Sequence, residues 1–249
     1  MSSSLITRLS VVDRHSKKDR SPARSQDGRI FPDPFAGPLG VDKFRNGIAL
    51  SSLLLERNGG NRLFVLYGHS AVHSLALRLL TGLLSHGQGV VVLDAGNLFD
   101  PYLISRRAQA LGREPKEFLS RILVSRSFTC HQTYALARKV YVGCRENASR
   151  IILVLGCLTT FYDEDVPLGE RAALLKRTLG LLKEMARRGT RILLTSSEPS
   201  LNVPGRWIDL LVRAADGAAR LGPHRDGSLG LHPVKGMGEE SVPGGLDRG

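Results

Sequence analysis

From residue 47 onward the chain alternates short runs of Val, Ile and Leu with longer stretches whose apolar residues recur every three or four positions. That alternation is the pattern of βα units wound into a parallel sheet. Runs of strand length stand at 63–67, 90–93, 122–125, 151–155 and 191–195. The run IILVL at 151–155 has no polar position, as a strand buried on both faces requires. Between the strands, the spacing predicts helices over 73–84, 102–111, 115–119, 130–142 and 168–188, with a short helix at 48–55 and a turn at 58–61 ahead of the first strand. In the long helix Leu175, Leu179, Leu182 and Ala186 mark the apolar face, while Arg171, Lys176, Arg177, Lys183, Arg187 and Arg188 lie mostly opposite. Residues 217–221 and 228–233, joined by PHRDG, read as a terminal antiparallel hairpin. The fold class expected is α/β, a central, mainly parallel twisted sheet flanked by helices and closed by that hairpin.

The 249 residues divide accordingly into a basic, disordered N-terminal arm at 1–45, an α/β domain at 46–235 and a flexible tail at 236–249. The arm is rich in Ser, Arg, Lys, Asp and Pro and has no periodic apolar face; its nine Lys and Arg against five Asp let it brush a phosphate backbone. No apolar run reaches the roughly 18 residues of a membrane span, and the first residues lack the apolar centre of a secretory signal. The expectation is a cytoplasmic chain with no membrane partner.

Three cysteines, Cys130, Cys144 and Cys157, are too few and too widely spaced for a disulfide framework or paired zinc ligands, and read as small buried thiols. His69 and His73 stand four apart, a spacing that would let two metal ligands share a helix face, but no third ligand accompanies them, so no metal site is expected. Cys130 and His131 are adjacent and point in different directions on a helix, which argues against a nucleophile pair. The carboxylates Asp163, Glu164 and Asp165 precede the long helix, where they would favour its N-terminal end.

Several segments in order resemble the core of the RecA-like recombinases: bacterial RecA, archaeal RadA and their eukaryotic relatives. The resemblance runs from about residue 47 to 233. It rests on a strand ending in Gly68 and followed by a helix, and on a strand closing at Leu93-Asp94 and followed by Ala95-Gly96-Asn97-Leu98-Phe99. The string RILVSRSFTCHQ at 121–132, similar to a family stretch leading into His-Gln and a helix, is the most specific. Residues 151–155 with the following Gly-Cys-Leu-Thr-Thr, the long helix after Glu170, the strand at 191–195, and Trp207 with Ala214-Ala215-Asp216 complete the series. The resemblance implies a RecA-like P-loop NTPase fold.

The same alignment removes the family's chemistry. A P-loop, G-x-x-x-x-G-K-[ST], wraps phosphates in backbone N–H groups, neutralises them with Lys and holds magnesium with a hydroxyl. Here the window is GHSAVHSL at 68–75: Gly68 survives, His73 replaces the second glycine, Ser74 the lysine and Leu75 the hydroxyl. Gly96 stands where the family has a water-activating Glu, Gly156 where it has a metal-linked Asp, and Ser197 where a Gln senses the γ-phosphate. A neutral His73 and a Ser74 hydroxyl supply little of the missing charge. The vestigial phosphate loop is therefore Gly68, Ser70, His73 and Ser74, with no catalytic residue and no cofactor expected. A helix N-terminus alone still attracts an anion, so ATP binding stays open where hydrolysis does not.

Lys and Arg number 35 against 23 Asp and Glu, a net +12, which favours a polyanionic partner. Ten of these cations fall between residues 105 and 150 against three Glu; Arg106, Arg107, Arg138 and Lys139 are the candidates for DNA-backbone contact. With aromatics at only 6%, binding should be backbone-led and salt-sensitive. The family's second DNA loop, here between Thr195 and Trp207, is short and carries two prolines, which argues against strand exchange. The expectation is a catalytically inactive accessory or adaptor in DNA recombination or repair, contacting DNA backbone, a recombinase or a repair polymerase. Its rivals are a DNA-dependent ATPase with an atypical P-loop around Ser70, His73 and Ser74, and a pure protein-interaction scaffold.

Overall fold

The computed structural model describes residues 6–8, 62–144, 151–198, 206–223 and 229–236. The expected helix at 48–55, the turn at 58–61, the loop at 199–205, the hairpin turn at 224–228, the tail beyond 236, Arg145, Arg150 and the side chain of Cys144 lie outside these residues, as does the arm apart from 6–8.

The described elements, in chain order, are β1 (Ile6–Arg8), β2 (Leu63–Gly68), α1 (Val72–Ser85), β3 (Val90–Asp94), α2 (Pro101–Ala110), α3 (Pro115–Leu119) and β4 (Ile122–Arg126). They continue with α4 (Cys130–Cys144), β5 (Ile151–Leu155), a 3-10 turn (Thr159–Phe161), α5 (Leu168–Arg187), β6 (Arg191–Ser197), α6 (Arg206–Ala214), β7 (Gly217–Pro223) and β8 (Leu229–Lys235). All eight strands join one sheet in the order β1-β4-β3-β5-β6-β2-β7-β8. The six strands from β4 to β7 run parallel; β1 pairs antiparallel with β4 and β8 antiparallel with β7. Three residues of the expected arm thus extend the sheet edge as β1, Ile6 opposite Ser125.

Every residue of β3 and β5 is buried, because helices cover both faces. Alternate strand residues serve two cores. Phe64, Leu66, Val92 and Leu153 pack with Leu77, Leu80, Ile104 and Phe118, so α1, α2 and α3 cover one face. Val65, Val91, Ile152 and Leu194 pack with Leu136, Leu175, Leu182 and Trp207, so α4, α5 and α6 cover the other.

One helix was not expected from the sequence. Trp207, Ile208 and Leu211 of α6 are buried while Asp209 and Arg213 face water, a helical pattern over only nine residues. The α6–β7 junction is tied back to the sheet: the Asp216 carboxylate accepts from the N–H groups of Arg62 and Leu63 at 3.1 and 2.9 Å. Lys235 reaches the α6 end and donates to the Ala215 carbonyl at 2.5 Å, a cation on a helix C-terminus. Among the described residues no helix is long and apolar enough to cross a membrane.

Candidate functional site

The parallel strands deliver their carboxyl ends to one rim, where ligands bind in open α/β sheets. Gly68 ends β2 directly opposite Ser197 of β6, Gly156 follows β5, and Gly96 follows β3. Because β2, β6, β5 and β3 are consecutive neighbours, Gly68, Ser197, Gly156 and Gly96 form one row along that rim.

The β2–α1 turn is tight. Gly68 has φ of +117°, and a Cβ there would lie 2.3 Å from the Leu221 carbonyl oxygen, so only glycine fits. The His69 N–H donates to that same carbonyl. The Ala71 N–H donates to His69 Nδ1 at 3.1 Å, the Val72 N–H to the His69 carbonyl at 2.9 Å, and the His73 N–H to the Ser70 carbonyl at 3.3 Å. These are the donors a phosphate-wrapping loop would aim outward; here the turn uses them internally. Ser70 is exposed, Ser74 is partly exposed on the first turn of α1, and Leu75 packs against the first core.

His73 points inward. It is 7% exposed, and its Nδ1 lies 2.8 Å from the Thr195 hydroxyl of β6. The same hydroxyl accepts from the Gly156 N–H at 3.1 Å, so one buried contact chain links α1, β6 and the end of β5. Burial lowers the imidazole from its ordinary 6.5 to about 4, against a smaller opposing pull from Asp94. His73 is therefore a neutral strut and supplies no charge for phosphate. His69, by contrast, lies ahead of α1 and is exposed, so the two histidines do not share a helix face. Among the described residues no cluster of three or more His, Cys, Asp or Glu is placed to hold a metal ion.

The space beside Gly96 and Gly156 is filled by the Leu98 side chain and the Thr159 hydroxyl. A Cβ on Gly96 would lie 2.5 Å from Leu98 Cδ1, and one on Gly156 would lie 2.8 Å from both Leu98 Cδ1 and Thr159 Oγ1. Gly156 also has φ of +63°. The two glycine backbones press together, with the Leu98 side chain over them.

The residue that sequence reasoning passed over is Asp94. It is completely buried, and its carboxylate accepts from the N–H groups of Leu98 (2.8 Å) and Phe99 (3.1 Å) and from Arg126 Nε (3.0 Å). Arg126 also donates to the Phe99 carbonyl. Asp94 thereby folds the β3 loop so that Leu98 drops onto Gly96 and Gly156. A charged residue ending an otherwise apolar strand was the available signal. Beside Ser197, Glu198 forms a two-toothed ion pair with Arg220 of β7 at 2.6 and 3.2 Å, which lowers the Glu198 carboxyl pKa. Ser196 is buried, and burial pushes the nearby Tyr162 phenol up to about 12.

The four DNA-contact candidates do not form one patch. Arg106 and Arg107 belong to α2 on one face of the sheet, Arg138 and Lys139 to α4 on the other. Arg106 is exposed and 3.8 Å from Asp100, whereas Arg107 Nε is buried without a hydrogen-bond partner. Arg138 covers the Tyr134 ring, and Lys139 is exposed. Arg171 departs from the expected solvent face of α5: its guanidinium lies 5.6 Å from the Trp207 ring centre and donates to the Phe161 carbonyl. Asp163, Glu164 and Asp165 do not cap α5, whose N-cap is Pro167; Asp163 instead accepts from the Asp165 N–H. Cys130 and Cys157 are buried thiols, the second pushed up to about 12 by burial. His131 is exposed, 3.5 Å from Glu170. No protein-family model matches the chain.

Proposed function

We propose that this chain is a RecA-like domain without ATP turnover that serves as an accessory or adaptor in DNA recombination or repair, contacting DNA backbone, a recombinase or a repair polymerase. The observation that carries the loss of turnover is that the rim is occupied. His73 fills the β2–β6 end, and Leu98 with Thr159 fills the Gly96–Gly156 end. Phosphoryl transfer consists almost wholly of positioning and charge stabilisation, and a rim packed with a neutral imidazole and a leucine supplies neither. The pathway is supported by the resemblance of the segments between residues 47 and 233 and by the net +12.

Calorimetric titration of the full chain with magnesium and ATP tests the first half. The expected result is no heat, no thermal shift and no DNA-stimulated phosphate release; turnover would refute it. A second reading, a protein-binding scaffold, is favoured by Tyr102 in the first turn of α2 and Phe128 just after β4, which stand 74% and 67% exposed. Filter binding on single- and double-stranded DNA at low salt separates the two, because a scaffold retains neither.

A further inference from the structure

We propose that the paired outer faces of α4 and α5 form a landing surface for the phosphate backbone of duplex DNA. The inference rests on the DNA-contact half of the proposed function and gives it a place, away from the rim.

Both helices leave the carboxyl edge and run down the same face of the sheet. Side-chain contacts hold them side by side. His131 meets Glu170 at 3.5 Å near their starts, and the Arg188 guanidinium lies 5.3 Å from the Tyr141 ring centre near their ends. Between these two contacts Arg138 and Lys139 of α4 and Lys176, Arg177 and Arg187 of α5 are exposed, and Lys183 is partly so. Lys176, Lys183 and Arg187, with Gly180 among them, recur at three- and four-residue steps and so share one stripe. From Lys176 to Arg187 that stripe spans about 16 Å. A Cβ on Gly180 would meet nothing within 4 Å, so the middle of the stripe is open to a backbone approaching it.

Acidic groups are few here. Glu184 is held by Arg188 at 2.9 Å, with Arg187 at 3.8 Å, and Glu170 sits at the far end with His131. The carboxyl rim is more mixed, with Asp163, Glu164 and Asp165 beside it and Glu198 and Asp94 neutralised by Arg220 and Arg126. The excess of cations on the helix pair favours phosphate there. Tyr134 and Tyr141 lie under Arg138 and Arg188, so the surface offers cations without a bare ring for base stacking. Cations without stacking favour a duplex, with one charge per roughly 1.7 Å of axis, over a single strand.

The test is fluorescence anisotropy of the full chain with a mixed-sequence duplex across a salt series. Removing two phosphate contacts with K176A/R177A should lower the slope of log affinity against log salt by up to about 2 and weaken binding by about tenfold near physiological salt. R113A/K116A removes the same charge from the opposite face of the sheet and should change affinity by less than about twofold. R138A/K139A on α4 provides a second, independent pair, and unchanged melting shows that each variant is folded. Wild-type binding by both helix-pair variants would overturn the proposal, as would an equal loss in R113A/K116A or single-strand binding as tight as duplex binding. DNA binding indifferent to α4 and α5 refutes this surface alone, whereas a chain that binds no DNA at low salt also refutes the DNA half of the proposed function.

Discussion

His73 is the sharpest point at which to probe the rim. Its imidazole is buried against Thr195 and lowered from 6.5 to about 4, so the folded protein binds this proton less readily than the unfolded chain. Stability from the neutral ring is therefore fully present above pH 6.5, falls as pH drops from 6.5 towards 4, and levels off below. At about 1.4 kcal/mol per pH unit, the gap comes to about 3 kcal/mol of stability lost across that window. Carboxylates titrate in the same range, so the informative quantity is a difference. His73→Asn keeps a polar group near the position of Nδ1 and removes the titration. In urea unfolding at a series of pH values, wild type should lose about 3 kcal/mol more than His73→Asn between pH 7 and pH 4. Parallel stability curves for the two proteins would refute the assignment of His73 as a neutral, buried strut.

Other substitutions test the packing that fills the rim. Gly156→Asp and Gly96→Glu, which place carboxylates where the resemblance to the recombinases would have them, should produce no phosphate release and lower stability by about 2–5 kcal/mol, because each new side chain meets Leu98. Gain of ATPase activity in the double variant would contradict this. Asp94→Asn removes the charge holding Arg126 and the Leu98–Phe99 loop and should cost about 2–3 kcal/mol, read from the denaturation midpoint. Trp207 stacks on Tyr162 at 5.6 Å and meets the edge of Phe161, so Trp207→Ala should cost about 3–5 kcal/mol in chemical unfolding followed by circular dichroism. As the sole tryptophan, Trp207 makes wild-type fluorescence a direct report on the α6 contact with the sheet.

Most elements were legible in the sequence because their signals are local. The runs at 151–155 and 115–119 match the observed strand and helix, and the other expected elements that fall on described residues begin or end within a few residues of those observed. Two described elements were not legible: β1 is only three residues long and draws its order from pairing with β4, and α6 has the right spacing at Trp207, Ile208 and Leu211 but spans nine residues, too few for periodicity to stand out beside a run of Pro, Gly and Ser.

Which candidate residues meet was a different kind of question. The sequence counted the cations of α2 and α4, but the side of the sheet a helix covers depends on the direction of its crossover, and so on a strand order fixed by non-local pairing. The lack of charged side chains at His73, Gly96 and Gly156 could be read from residue identity. That those positions are filled rather than vacant came only from tertiary packing. Leu98 reaches Gly96 and Gly156 because Asp94 bends its loop, and His73 turns inward because Thr195, more than a hundred residues away in the chain, offers the partner its buried nitrogen requires. Residue types determined which charges this rim lacks; only the close packing of distant segments decided what stands in their place.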